Sequence, residues 1–231
     1  MPVGSGDRRF KLKDLAAIVA VVVVLAPILV AGLRHARALS SQLECAENLK
    51  ALGVACDMYQ ADFDDVLVPY GAPFTWGKMW PDLLNRYVDP SSSSPGKLFK
   101  CPGTAPDSIT GFGSERSYGI NSNCGGWISD YSTHVVVQLK KVRYPASTIR
   151  LAESSWQAQG GSLFAARPDE YIPSDPTCHR FATRHNNTGN VLWIDGHVSS
   201  MTIEQYNMLD SGPYSGQVWL RLEPPKPSVA N

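Results

Sequence analysis

The chain has 231 residues, with 21 Lys+Arg against 21 Asp+Glu, 43% hydrophobic and 18% charged residues. That hydrophobic content can build a core and excludes a disordered polyampholyte. The zero net charge argues against a broad phosphate-binding surface, which needs a cationic excess, so no nucleic-acid partner is expected.

The charge is unevenly placed. Residues 1–14 hold Arg8, Arg9, Lys11 and Lys13 against Asp7 and Asp14, a basic leader ahead of a slightly acidic remainder. Residues 15–33, LAAIVAVVVVLAPILVAGL, then run for 19 positions without a charge. As a helix this segment reaches about 28 Å, close to the roughly 30 Å of a bilayer's hydrocarbon layer. It is too long for a strand and lacks the polar stripe of a half-buried helix, so it predicts a transmembrane helix with the lipid bilayer as its partner. Pro27 is expected to kink it by removing one backbone bond, which membrane helices tolerate. Bases on the first flank place the amino terminus in the cytoplasm and the rest outside, although Arg34 and Arg37 on the second flank weaken the bias.

A removable secretory signal is the rival reading, with Ala31-Gly32 as a small-residue cleavage site. The helical pattern does not stop there. Leu39, Leu43, Ala46, Leu49, Leu52, Cys56, Tyr59 and Phe63 recur at steps of three or four, and Gln42, Glu44, Glu47, Asn48, Lys50 and Asp57 lie between them, which predicts an amphipathic continuation. The domain layout is therefore a leader at 1–14, a transmembrane helix at 15–33, its amphipathic extension at 34–62, an extracytoplasmic domain at 63–223 and a Pro-rich flexible tail at 224–231.

Asp62, Asp64 and Asp65 form an acidic cluster at the end of this helix, read as a solvated helix end since no calcium-loop signature accompanies it. Residues 76–88 carry Trp80, Leu83, Leu84 and Tyr87 at helical spacing, with Asp82 as an early acid, and predict a short helix. Short strands are expected at 118–121, 134–139, 148–152, 189–194 and 197–201. The fold class is α+β: a long amino-terminal helix packed on a small antiparallel sheet.

Asp195-Gly196, between two apolar runs, signals a hairpin, because glycine accepts the positive φ of a tight turn. A regular strand would hold His185 and Asp195 too far apart for a hydrogen-bonded dyad, although Asn186-Asn187-Thr188-Gly189 supplies turn chemistry that shortens the gap. His185, Asp195 and His197 are the residues a catalytic, metal or carbohydrate-binding reading would use. The simpler reading is a turn-defining Asp-Gly and a histidine bonded to local backbone. No nucleophile elbow, phosphate loop, His-Glu-x-x-His or paired Cys-x-x-Cys is present, so no enzyme activity, cofactor or metal is expected. Six tryptophans at 76, 80, 127, 156, 193 and 219 read as core and interface anchors. Of the five cysteines, Cys45 and Cys56 lie about 16 Å apart along one helix, too far to bridge. Among Cys101, Cys124 and Cys178, a Cys101–Cys124 disulfide is the preferred pair.

Five segments carry a family resemblance: 45–70 (CAENLKALGVACDMYQADFDDVLVPY), Phe99-Lys100-Cys101-Pro102, Ser117-Tyr118-Gly119-Ile120-Asn121, 144–153 (YPASTIRLAE) and 184–198 (RHNNTGNVLWIDGHV), in which nine residues separate His185 from Asp195-Gly196. In that order they resemble the prepilin-type, pseudopilin-like proteins of the H-X9-DG (DUF1559) group. The resemblance implies a pilin-like fold and a single-pass protein of the bacterial inner membrane with its carboxy-terminal domain outside the cytoplasm. It further implies a non-catalytic structural subunit of a type IV pilin or type II secretion kind of assembly, with like subunits as partners through the amino-terminal helix. Phe10 and Asp14 can be laid on that group's processing and assembly positions. Arg9 stands where the leader's glycine is expected, and Lys11 and Lys13 intrude on an apolar stretch, so the leader is expected to stay on as a signal anchor. In that case Asp14 acts as a first-turn carboxylate at the helix's positive end.

Overall fold

The computed structural model describes residues 12–69, 79–91, 96–103, 117–121, 137–155 and 180–206. The chain divides into two compact units, Met1–Ser40 and Ser41–Asn231. Phe10 and the 224–231 tail lie outside the described residues, and Asp14 falls in the first turn of helix α1.

Helix α1, Leu12–Asp62, runs for 51 residues and continues through Pro27 without a break. In the first unit its large apolar side chains from Leu15 to Leu33 are 46–65% exposed, and an 18-residue window reaches a mean hydropathy of 2.3. This is a helix long and apolar enough to cross a membrane, greasy on every side rather than along a stripe.

In the second unit the same helix turns amphipathic. Cys45, Leu49, Leu52, Cys56 and Tyr59 are buried, recurring at steps of four and three along one face. Leu39, Leu43 and Phe63 were expected on that face but are 51%, 58% and 40% exposed. At 100° per residue Leu39 and Leu43 sit about 120° and 160° around the helix from Cys45, and Phe63 lies just past the helix end, stacked on the Tyr59 ring. The stripe that faces the core begins at the thiol of Cys45.

The sheet is antiparallel throughout. Strands β1 (Tyr118–Ile120), β2 (Ile149–Ser155), β4 (Thr188–Trp193) and β5 (Val198–Thr202) lie in the order β1-β2-β4-β5, and the short β3 (Arg180–Phe181) pairs with the end of β2. The two-residue period of the strands sorts their side chains onto two faces. Tyr118, Ile120, Leu151 and Leu192 join the α1 stripe, together with Trp80 and Leu84 of helix α2 (Trp80–Val88) and Phe99. Ile149, Ala152, Val191 and Trp193 face the other way, with Phe181, Met201 and Tyr206. Helix and sheet approach closely at Gly53, where a Cβ would lie 3.2 Å from Leu192 Cδ1.

A register shift between Ile149 and Leu151 turns Arg150 toward α1 beside Leu151. Its guanidinium is only 4% exposed and donates to Asp57 Oδ1 at 2.6 Å, Gln60 Oε1 at 2.6 Å and the Gly53 carbonyl at 3.3 Å. The bulge thus ties the central strand to the helix with charge-assisted bonds.

Four expected strands are present, three of them within a residue of their expected bounds, while β2 runs three residues further than expected, to Ser155. The fifth, at 134–139, is not seen in its described part: Gln138 makes an isolated bridge to Val66, and Leu139–Lys141 is a 3-10 turn. Strand β3 carried no sequence signal, being two residues long. Helix α2 begins at Trp80, where the Asp82 carboxylate accepts the Met79 N–H at 2.8 Å, half of a capping box. Asp62 accepts from Tyr87 at 2.7 Å and Arg86 at 3.3 Å, while Asp64 and Asp65 adopt positive φ; the acidic cluster is a solvated helix end.

Leu52→Ala, at a fully buried position, is expected to destabilise the second unit by about 2–5 kcal/mol. Leu43→Ala, on the exposed face, should stay within about 0.5 kcal/mol. Chemical unfolding of the detergent-solubilised chain, followed by tryptophan fluorescence, checks both.

Candidate functional site: a buried Cys-Cys-Glu-His cluster

Four donor side chains converge between α1 and the sheet. Cys45, Cys101, Glu153 and His185 each direct one Sγ, carboxylate oxygen or ring nitrogen to a common point, and these atoms all lie within 4.8 Å of one another. All four are buried, at 0–3% exposure.

Each arrives by a different route. Cys45 stands at the head of the buried stripe of α1. Glu153 belongs to β2, paired with Tyr118 of β1, and the pleat points it to the helix side. Cys101 follows the 3-10 turn Lys97–Phe99, after Phe99 has anchored in the core. His185 is held by a reciprocal backbone pair with Thr188, both N–H···O=C bonds at 2.9 Å, and the Thr188 hydroxyl adds a bond to its carbonyl at 2.6 Å. The two residues between, Asn186 and Asn187, have φ of 50° and 63°, the left-handed geometry that a tight two-residue hairpin requires and asparagine tolerates. Two glycines make room. A Cβ on Gly103 would meet His185 Cε1 at 2.9 Å, and one on Gly189 would meet the Ala182 carbonyl oxygen at 2.2 Å.

The polar contacts are dense. The Cys45 thiol donates to Glu153 Oε1 at 2.9 Å and lies 3.1 Å from the Tyr118 hydroxyl. Cys101 Sγ is 3.1 Å from His185 Nε2, which is 3.2 Å from Glu153 Oε1. The Asn190 backbone N–H donates to Glu153 Oε1 at 3.1 Å. Glu153 Oε2 has no hydrogen-bond partner among the described residues, and Arg184 Nη1 is 3.7 Å away. Arg184 is fixed in turn by the Ser117 and Ser154 carbonyls.

Electrostatics divides the two thiols. Hydrogen-bonding interaction with the Cys45 sulfur, helped by His185, brings the Cys101 thiol down to about 6 against the opposing effect of burial. Cys45 is pushed far up by that same hydrogen bond, by burial and by the neighbouring carboxylate. Burial alone would depress His185, but its bonds to Cys101 and Glu153 outweigh it and raise the ring to about 9. These shifts favour a thiolate–imidazolium pair between Cys101 and His185, with the Cys45 thiol neutral. Cys56, about three turns further along α1 on the stripe and outside the cluster, is raised to about 11 by burial.

The residues expected to mark a site are separated. His185 joins the buried cluster at one end of β4. Asp195 and Gly196 form the turn at the other end, where Trp193 and Gly196 close a tight turn and Gly196 takes φ of 91°. Asp195 Oδ1 accepts from the His197 backbone at 3.1 Å and lies 2.6 Å from His197 Nδ1, and the two side chains are 35% and 48% exposed. Desolvation opposes ionisation there, but the combined His197 contacts outweigh it and hold the Asp195 carboxyl below its ordinary range. Asp195 and His197 thus brace the hairpin, and the His185–Asp195–His197 constellation does not form. Trp80 is in the core and Trp193 on the buried far face, so neither belongs to an exposed stacking row. Cys101 is a free buried thiol in the cluster, and Cys124, its expected disulfide partner, lies outside the described residues.

Cys45 and Glu153 were not singled out by sequence reasoning. Their contacts join positions 108 residues apart, and those of Cys101 and His185 join positions 84 apart, so no local spacing encodes the site. The available signal was coarser: each of the four sits in a different one of the five segments quoted above, and the fifth supplies Tyr118.

Neither a family model, a curated protein nor a solved structure matches the chain.

His185→Ala is expected to cost about 3–5 kcal/mol, since it strands a buried carboxylate and thiolate. His197→Ala, at a half-exposed surface pair, should cost less than about 1 kcal/mol. Thermal unfolding of the two variants beside the parent chain makes the comparison.

Proposed function

We propose that the chain is a membrane-anchored, pilin- or pseudopilin-like structural subunit of the cell envelope, working by assembly rather than by catalysis. The observation that carries this reading is helix α1, which is exposed and apolar through residues 15–33 and supplies the core stripe of the second unit from Cys45 to Tyr59. Twelve of the 19 residues at 15–33 are Leu, Ile or Val, each contributing about −0.3 to −0.6 kcal/mol at the centre of a bilayer. Lipid, or the same helix of a neighbouring subunit, is the environment that covers such a surface.

The buried cluster supports a structural role as well. A catalytic centre needs a position open to substrate, whereas all four of these side chains are shielded from solvent. The basic leader supports a single-pass orientation with the second unit outside the cytoplasm, against the smaller counter-bias of Arg34 and Arg37.

Membranes from cells expressing the native chain should retain it through alkaline carbonate washing, and removal of residues 1–33 should release it. Cysteine placed at Val22 or Leu29, which are 56% and 65% exposed, should cross-link to a second pilin-type helix in those membranes. A chain that washes off, or that stays monomeric at both positions, would defeat the proposal.

A further inference from the structure

We infer that Cys45, Cys101, Glu153 and His185 form a structural zinc site, with two thiolates, one imidazole Nε2 and one carboxylate oxygen closing a four-coordinate shell around Zn²⁺. The inference is independent of whether the chain assembles.

The donor set is one that zinc takes: cysteine sulfur at about 2.3 Å, histidine nitrogen and carboxylate oxygen at about 2.0–2.2 Å. A tetrahedron with those bond lengths puts its donor atoms about 3.3–3.8 Å apart. The cluster's contacts of 2.9, 3.1 and 3.2 Å, with every pair inside 4.8 Å, bracket that range. Side-chain adjustments of a few tenths of an ångström on the short edges convert the hydrogen-bonded cluster into the coordinated one.

Charge points the same way. Metal ligation requires thiolate sulfur and neutral imidazole, so the bound site would hold two thiolates, a carboxylate and a neutral imidazole around a dication. The net charge of −1 faces Arg184, whose Nη1 is 3.7 Å from the otherwise unpartnered Glu153 Oε2. Arg184, held by two backbone carbonyls, and the Asn190 N–H on Oε1 are the outer contacts that orient a ligating carboxylate. The tyrosine hydroxyl 3.1 Å from Cys45 Sγ can donate to a thiolate there.

The competing fate of two neighbouring thiols is a disulfide. A Cys45–Cys101 bridge would consume both sulfurs, taking the thiol donor from buried Glu153 and the sulfur partner from buried His185, which is costly for buried polar groups. Four convergent donors fit a cation better than they fit a bridge between two of them. All four ligand positions are filled by protein and shielded from solvent, so the ion's role is structural: it cross-links α1, the Cys101 loop, β2 and the His185 turn.

The test is metal analysis of the full chain purified in detergent without chelator. About one zinc per chain is expected. Cys45→Ser, Cys101→Ser, Glu153→Gln and His185→Gln should each lower zinc retention at least tenfold against a chelating dye, and Cys56→Ser, a buried thiol outside the cluster, should retain it. Because a ligand variant can fail to fold, Co²⁺ exchange into the parent chain gives a second readout: thiolate-to-cobalt charge transfer together with intense tetrahedral d–d bands is expected. Less than about a tenth of an equivalent of metal, a Cys45–Cys101 disulfide in the isolated chain, or zinc that survives both cysteine substitutions would each overturn the site. A different divalent ion bound stoichiometrically by the same residues would overturn the assignment to zinc.

Discussion

Glu153 is a carboxylate with no solvent exposure on the central strand of a small sheet, and much of the second unit is arranged around making that tolerable. An uncompensated buried charge costs several kcal/mol. Here the compensation comes from the thiol of Cys45 on α1, the ring of His185 from a tight turn, the Asn190 N–H of the neighbouring strand and the guanidinium of Arg184. The helix, two loops and two strands must all be in register before the carboxylate is satisfied. One buried group therefore specifies the relative placement of elements that the hydrophobic stripe alone would allow to slide.

The Arg150 cluster repeats the device about three to four turns along the helix with the opposite sign. A guanidinium on β2 reaches α1 and is met by Asp57, Gln60 and the Gly53 carbonyl. Between the two polar contacts lie Leu49, Leu52 and Cys56, packed with Leu151 and Leu192. The apolar layer supplies most of the driving force, and the polar contacts at its two ends fix register, much as buried polar residues do in helical bundles. The glycines at 103 and 189 follow from this packing, because a larger residue would press on the His185 ring or the Ala182 carbonyl.

The parts of this arrangement legible in the sequence are those encoded locally. The uncharged run at 15–33, the three-and-four spacing from Leu49 to Tyr59, and the Asp195-Gly196 hairpin each carry their own signature, and α1 was readable nearly to its last residue. The start of the buried stripe was not, because Leu39 and Leu43 match the step pattern while drifting round the helix. The cluster was legible only as fragments. Strand geometry already set His185 and Asp195 too far apart for a dyad, and β4 does hold them at opposite ends, but the histidine was expected to bond only local backbone. The true partners of His185 come from segments whose meeting depends on the tertiary fold. Cys101 was read as a disulfide half because cysteine spacing alone does not reveal a carboxylate and an imidazole waiting beside it.

One continuous helix serves both as the apolar segment of the first unit and as a wall of the second unit's core, so what holds α1 to the sheet governs the whole second unit. Native-state hydrogen exchange tests that claim most directly. Amides of α1 from Cys45 to Tyr59 should exchange with the same opening free energy as those of β2 and β4, and the three should fall together in Glu153→Gln. A helix whose amides open independently of the strands, or that keeps its protection when Glu153 is neutralised, would contradict the account.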